Sequence, residues 1–169
     1  PTIGNDKCPY DTHSVDLRLS DEIRVPDRGK YAFDLTQEGE LSTFISKNCK
    51  AYTLSKEMPF ILKPSTFILG MTLKRIELPI PKAGNSCLAA RIEGKSSRAR
   101  IGLLIHFTAP TVHPGFQGPL TLEMINLGPV DIVLSPGMPI AQLIVEEVKG
   151  LPFANPSQFQ GQRTPEGGQ

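Results

Sequence analysis

The stretch HPGFQGPLTLEMINLGPVDIVLSPGMPIAQLIVEEV, residues 113–148, decides the fold class. Its runs Leu120–Asn126, Asp131–Leu134 and Ile140–Val148 follow an alternating, two-residue pattern rather than a helical one. Pro-Gly or Gly-Pro pairs at 114–115, 118–119, 128–129 and 136–137 separate them, as turns separate strands. Within 120–125, alternation places Leu120, Leu122 and Met124 on one face and Thr121, Glu123 and Ile125 on the other. Working outward, Lys50–Leu54, Phe67–Leu78, Cys87–Glu93 and Gly102–Thr108 also read as strands. The best helix candidate, Leu41–Asn48, is too short to anchor a fold. Sixteen prolines and 15 glycines in 169 residues argue against long helices. The expectation is an all-β sandwich, jelly roll or barrel with few short helices.

Hydrophobic residues make up 39% of the chain, enough for one core, and no internal repeat or second domain is visible. A single β domain is expected over 1–150. Beyond it, 151–169 is polar and rich in Gly, Pro and Gln, and reads as a flexible C-terminal tail. It is either a disordered end or a segment that orders over a ligand. Eighteen basic against 17 acidic residues give a net charge of +1, which excludes a general nucleic-acid binder and leaves any anion site local. No apolar run approaches the roughly 20 residues of a membrane-crossing helix. Cys8, Cys49 and Cys87 are too scattered for a disulfide framework or a metal clip, so a cytoplasmic location is expected. The chain opens on Pro1 rather than Met, which suggests processing or a preceding segment.

Two segments carry groups suited to chemistry. In GKSSRARIG, residues 94–102, Ser96, Ser97 and nearby backbone amides can cradle phosphate oxygens while Lys95, Arg98 and Arg100 offset their charge. The spacing is not that of a Walker A loop, and the same residues would also suit a basic surface turn. In HFTAPTVHPGFQGPLTLE, residues 106–123, the carboxylate of Glu123 interrupts an apolar strand. It either faces solvent or is held in a site as a general acid or base. His106 and His113 lie seven apart with no obvious third ligand, so packing or hydrogen-bonding roles suit them better than a metal site.

Together these segments resemble the dCTP deaminase branch of the dUTPase-like superfamily. GKSSRARIGL at 94–103 is similar to that family's G(R/K)SSLARLGL loop, HFTA at 106–109 to its HVTA, and PGFQG at 114–118 to its PGWxG turn. LTLEMINLG at 120–128 resembles the strand bearing the catalytic Glu, PGMPIAQL at 136–143 the PGMxIxQL block, and FQGQ at 159–162 the tail motif (F/Y)QGQ. HSVDLRL at 13–19 is like the early SxDLRLG segment.

The resemblance implies a β-clip, or distorted jelly roll, in a homotrimer with nucleotide sites at subunit interfaces. It implies deamination of dCTP to dUTP and ammonia without zinc, and the HxE…PCxxC pattern of zinc deaminases is indeed absent. By residue-for-residue match, Glu123 would be general base and acid, Ser96 would orient water, Arg100 would act beside Glu123 and the base, and the Ala109 carbonyl would position the water. Lys95 and Ser97 would contact phosphate, with Arg98 available for redistributed charge, and Gln142 and Gln162 would contact nucleotide. No cofactor is implied for the chemistry; Mg2+ would ride on the triphosphate, the tail would close over the ligand, and dTTP would be a candidate inhibitor.

There are departures. His113 stands where the family commonly has an Asp that contacts the sugar, and which in dUTPases assists phosphate hydrolysis; His can still hydrogen-bond a ribose hydroxyl. Thr111 replaces a phosphate-binding Arg, Arg98 an apolar residue, and Gln158 a tail Lys. Two alternatives stay open: a bifunctional deaminase and diphosphatase (or a dUTPase) making dUMP, and a non-catalytic nucleotide sensor.

Overall fold

In the computed structural model, residues 2–3, 6–7, 13–27, 29, 32–36, 40–152 and 159–167 are described. In chain order the elements are β1 (Thr2–Ile3), β2 (Asp6–Lys7), β3 (Ser14–Pro26), α1 (Leu41–Lys47), β4 (Cys49–Thr53), β5 (Phe60–Leu62), β6 (Phe67–Thr72), β7 (Ile76–Glu77) and β8 (Ser86–Gly94). There follow α2 (Ser96–Ala99), β9 (Leu103–Ile105), β10 (Thr111–Val112), β11 (Gln117–Gly118), β12 (Thr121–Asn126), β13 (Ile132–Leu134) and β14 (Pro139–Lys149). An eight-stranded sheet runs in the order β10-β8-β14-β3-β6-β12-β9, with β4 joined to β3. Every pairing in it is antiparallel.

The strand β3, 13 residues long, joins the two halves of this sheet. Its first part, Ser14–Arg18, pairs with β14, and its second, Glu22–Pro26, with β4. Between Leu19 and Ile23 its register against β6 shifts. Such a bulge bends a strand and lets the sheet curl around a core. That core holds Leu19, Ile23, Ile68, Leu103, Leu122, Met124, Leu134 and Ile140. The alternation read in β12 is realised: Leu120, Leu122 and Met124 are buried, while Thr121, Glu123 and Ile125 are half-buried on the other face.

Phe67–Leu78 is not one strand but two, because Thr72 ends β6. Its hydroxyl donates to the Lys74 carbonyl (2.8 Å) and accepts from the Leu120 amide (2.9 Å), closing a turn before β7. Asn126, fully buried at the end of β12, satisfies three backbone groups. Its Nδ2 donates to the carbonyls of Leu62 (3.0 Å) and Val130 (2.8 Å), and its Oδ1 accepts from the Gly128 amide (2.9 Å). The backbone at Gly102, with φ +90°, lies so close to Gly128 that a Cβ at either glycine would strike the other's loop. This contact sets the exit of α2 directly beside the exit of β12.

Gln158 and the rest of 153–158 lie outside the described residues. Residues 159–167 pack against the domain. The Gly161 amide donates to the Gln117 carbonyl (2.9 Å), Gln160 Nε2 to the Gly115 carbonyl (3.0 Å), and Thr121 Oγ1 to the Pro165 carbonyl (3.0 Å).

Candidate active site

Glu123 sits in the middle of β12, between Leu69 on β6 and the chain leaving β9. Its half-buried side chain lines a cavity of about 610 Å³ together with His106, Ala109, His113, Thr121 and Gln162. Leu41 and Ile45, one turn apart on α1, give this cavity an apolar wall. The short helix thus anchors no core, and its apolar face serves the cavity.

His106 is shaped by this position. Its amide donates to the Glu123 carbonyl (2.8 Å), and its φ of +58° is a left-handed conformation that non-glycine residues rarely adopt. Its Nε2 lies 2.9 Å from the Ala109 carbonyl, which can only accept, so Nε2 carries the hydrogen. The buried Nδ1 has no partner among the described residues. His106 therefore ties the backbone of the Glu123 strand to the carbonyl of Ala109. Packing or hydrogen bonding is the role the sequence predicts for it, and the Ala109 contact is of the second kind; its left-handed backbone is not legible in the sequence.

The basic segment at 94–102 forms a separate place. Expected as a loop, it contains the single turn α2. A second cavity, of about 460 Å³, is lined by Gly94, Lys95, Ser96, Ser97, Leu104 and Gln142. Strand β9 connects the two cavities: Leu103–Ile105 border the second, and the next residue, His106, borders the first. Ser96, Ser97 and Arg100 are exposed. Arg100 lines neither cavity, and among the described residues it forms no ion pair with Glu123. Arg98 turns inward, donating from Nη2 to the Pro139 carbonyl (3.4 Å), so it braces the start of β14 rather than facing the cavity. Gln142 is held from both sides: it accepts from Ser14 Oγ (3.3 Å) and donates to the Gly94 carbonyl (3.4 Å). Lys95 is ion-paired with Asp16.

The tail brings in a residue that sequence reasoning missed. Glu166 is 8% exposed, lines the Glu123 cavity, and has Oε2 3.0 Å from Arg24 Nε in a contact that is ionic rather than a directed hydrogen bond. Arg24 also pairs with Glu22. Gln162, 4% exposed, donates from Nε2 to the Pro119 carbonyl (2.8 Å). Burial, then the charges of Glu166 and Asp27, pushes the Cys49 thiol up, with Arg24 acting weakly in the other direction. Cys49 is therefore held as a thiol and is poorly suited to be a nucleophile. Among the described residues no three His, Cys, Asp or Glu side chains stand together as a metal site.

The profile of dCTP deaminase-like proteins matches residues 6–148 of this chain. The chain belongs to the dCTP deaminase-like family. Among the relatives of this family member, the "dCTP deaminase, dUMP-forming" of Mycolicibacterium smegmatis is 38% identical over 161 residues, covering 90% of this chain and 78% of the relative. The "dCTP deaminase" of Natronomonas pharaonis is also 38% identical, over 160 residues covering 90% and 76%. In architecture the chain is similar to the 2'-deoxycytidine 5'-triphosphate deaminase of Agrobacterium tumefaciens, with a TM-score of 0.63 at 19% identity, over 85% of this chain. This chain spans 42% of that protein's length, and the likeness supports the all-β fold.

Proposed function

We propose that this protein hydrolyses dCTP to dUTP and ammonia, with Glu123 moving the protons. The observation that carries this reading is the placement of a half-buried carboxylate on a cavity wall beside Ala109 and Gln162, in a chain of this family. Glu123 would take a proton from a water whose oxygen bonds to C4 of cytosine, while the C4–N3 π electrons move onto N3. The same proton would go to N3. The second water proton would follow through Glu123 to the exocyclic nitrogen, the C4–N bond would break, and ammonia would leave as the C4 carbonyl forms. The Ala109 carbonyl, fixed by His106, would accept a hydrogen bond from the water and aim it.

Ser96 and Arg100 would act at this same base, and Lys95 and Ser97 on the phosphates, yet within one chain these residues sit at or beside a different cavity from Glu123. We therefore take the working unit to be an assembly of copies, a homotrimer by family resemblance, in which the exposed loop of one copy completes the Glu123 cavity of the next. Gln142 and Gln162 would contact nucleotide, and residues 151–169 would close over it. Mg2+ would travel on the triphosphate oxygens, as the family resemblance implies. No helix among the described residues is long and apolar enough to cross a membrane, and a cytoplasmic site of action suits the substrate.

A second reading, continuation to dUMP and pyrophosphate, is favoured by the "dUMP-forming" names of several relatives. His113, exposed at the rim of the Glu123 cavity, would then have to serve where other members carry Asp. One assay tests both readings: dCTP, dUTP and dCMP supplied separately, with ammonia, dUTP, dUMP and pyrophosphate followed. Ammonia and dUTP from dCTP support the first; dUMP with pyrophosphate supports the second; no ammonia from dCTP sinks both.

A further inference from the structure

The segment HSVDLRL, residues 13–19, has no part in the steps above, yet two of its side chains bond to residues that line the second cavity. Alternation along β3 sends Ser14, Asp16 and Arg18 one way and packs Leu17 and Leu19 into the core on the other. Ser14 and Asp16 each hold a residue that lines the cavity. Ser14 orients the Gln142 amide, and Arg18 Nη1 donates to the Gly137 carbonyl (2.7 Å) in the turn before β14. Asp16, paired in register with Gln142, takes the Lys95 ammonium through Oδ1.

Arg98 faces Pro139 and Arg100 lies outside the lining, so among the described residues Lys95 is the cation on the wall; the lining carboxylate, Glu93, lies 3.6 Å from Arg91. The Lys95 and Asp16 side chains are 26% and 24% exposed, a setting in which a charge pair is screened less than on open surface. An anion entering the cavity meets a lysine already engaged by a carboxylate.

We propose that Asp16 is a specificity-determining counter-ion that occupies Lys95 until a polyphosphate displaces it. A triphosphate can meet this barrier through additional contacts with the Ser96 and Ser97 hydroxyls. A single phosphate has fewer oxygens with which to do so. The pair thus favours highly phosphorylated nucleotides and keeps the ammonium positioned between turnovers.

The inference rests on Lys95 being the phosphate contact, and its test does not depend on deamination. Inorganic triphosphate and inorganic phosphate are titrated by calorimetry against the full chain, in magnesium-free buffer, for wild type, Asp16→Asn and Asp16→Glu. Asp16→Asn is expected to bind triphosphate about five- to tenfold more tightly, and to narrow the preference for triphosphate over phosphate. Asp16→Glu is expected to return to within about twofold of wild type. In turnover, the KM for dCTP should fall in Asp16→Asn by more than kcat changes. Weaker or unchanged triphosphate binding in Asp16→Asn overturns the proposal and makes Asp16 an anchor only. If Asp16→Asn does not fold, Asp16→Ser decides by the same titration. Ammonia release with an unmoved titration defeats this inference alone; a moved titration without ammonia release defeats the functional reading alone.

Discussion

The two cavities differ in how they are built. Around Glu123 the walls are β12, the chain following β9, one face of α1 and the packed tail, and the carboxylate itself is half-buried. Around Lys95 the wall is a single helical turn with exposed serines, strand β9, the end of β8 and Gln142 of β14 beside it. One place holds its carboxylate half-buried; the other presents its serines outward. The contrast teaches that, on the proposed function, residues acting together in the reaction would have to meet across copies of the chain. A group that transfers protons benefits from a fixed, partly dry setting, whereas a loop that completes another copy's site must be left exposed.

The strongest way to break this comparison is at Glu123. Glu123→Gln should lower deamination by about a thousandfold or more while leaving the unfolding midpoint in urea nearly unchanged, because the substitution is isosteric. Arg100→Ala should also be nearly inactive. Refolding the two inactive chains together should return about a quarter of wild-type activity, the statistical share of interfaces that pair two intact halves. Activity no higher than either variant alone would place the whole site in one chain.

A second test removes the contact that holds α2 beside β12. Gly102→Ala adds a Cβ at φ +90° against the backbone of Gly128, and should destabilise the fold by about 3 kcal/mol in urea unfolding. Truncation after residue 154 should lower kcat/KM for dCTP by about 30-fold and cost about 3 kcal/mol of stability, since residues 159–167 add the hydrogen bonds of Gln160, Gly161, Gln162 and Pro165 and the buried Glu166–Arg24 pair. A kcat/KM equal to that of the whole chain would leave the tail without a role in closure. The smallest effect is expected at Arg98. Arg98→Met should move the KM for dCTP by less than about threefold and cost about 1 kcal/mol of stability, whereas Lys95→Met should raise the KM by about tenfold. Equal effects of the two on KM would show that Arg98 also reaches phosphate.

Much of the architecture was legible because half-buried strands leave a two-residue trace. The face assignment in β12 and the runs behind β8 and β14 follow from it. The long β3 was not legible, because Ser20, Asp21 and Glu22 fall in its bulge and interrupt the alternation between Leu19 and Ile23. Strands of two residues, β10 and β11, carry too few positions to show any period. The turn α2 hides among residues equally suited to a loop.

By itself the sequence determined the β class, the burial of one face of β12, the isolation of a carboxylate on the other, and the family to which these motifs point. Those are properties of short windows, where period and residue type act locally. Only the tertiary structure decided that Glu123 and Lys95 occupy different cavities, that Arg98 turns inward, that Asp16 engages Lys95, and that Glu166 comes back to Arg24. These are contacts between residues far apart in the chain, set by the curl of the sheet and by which side chains are left to satisfy one another.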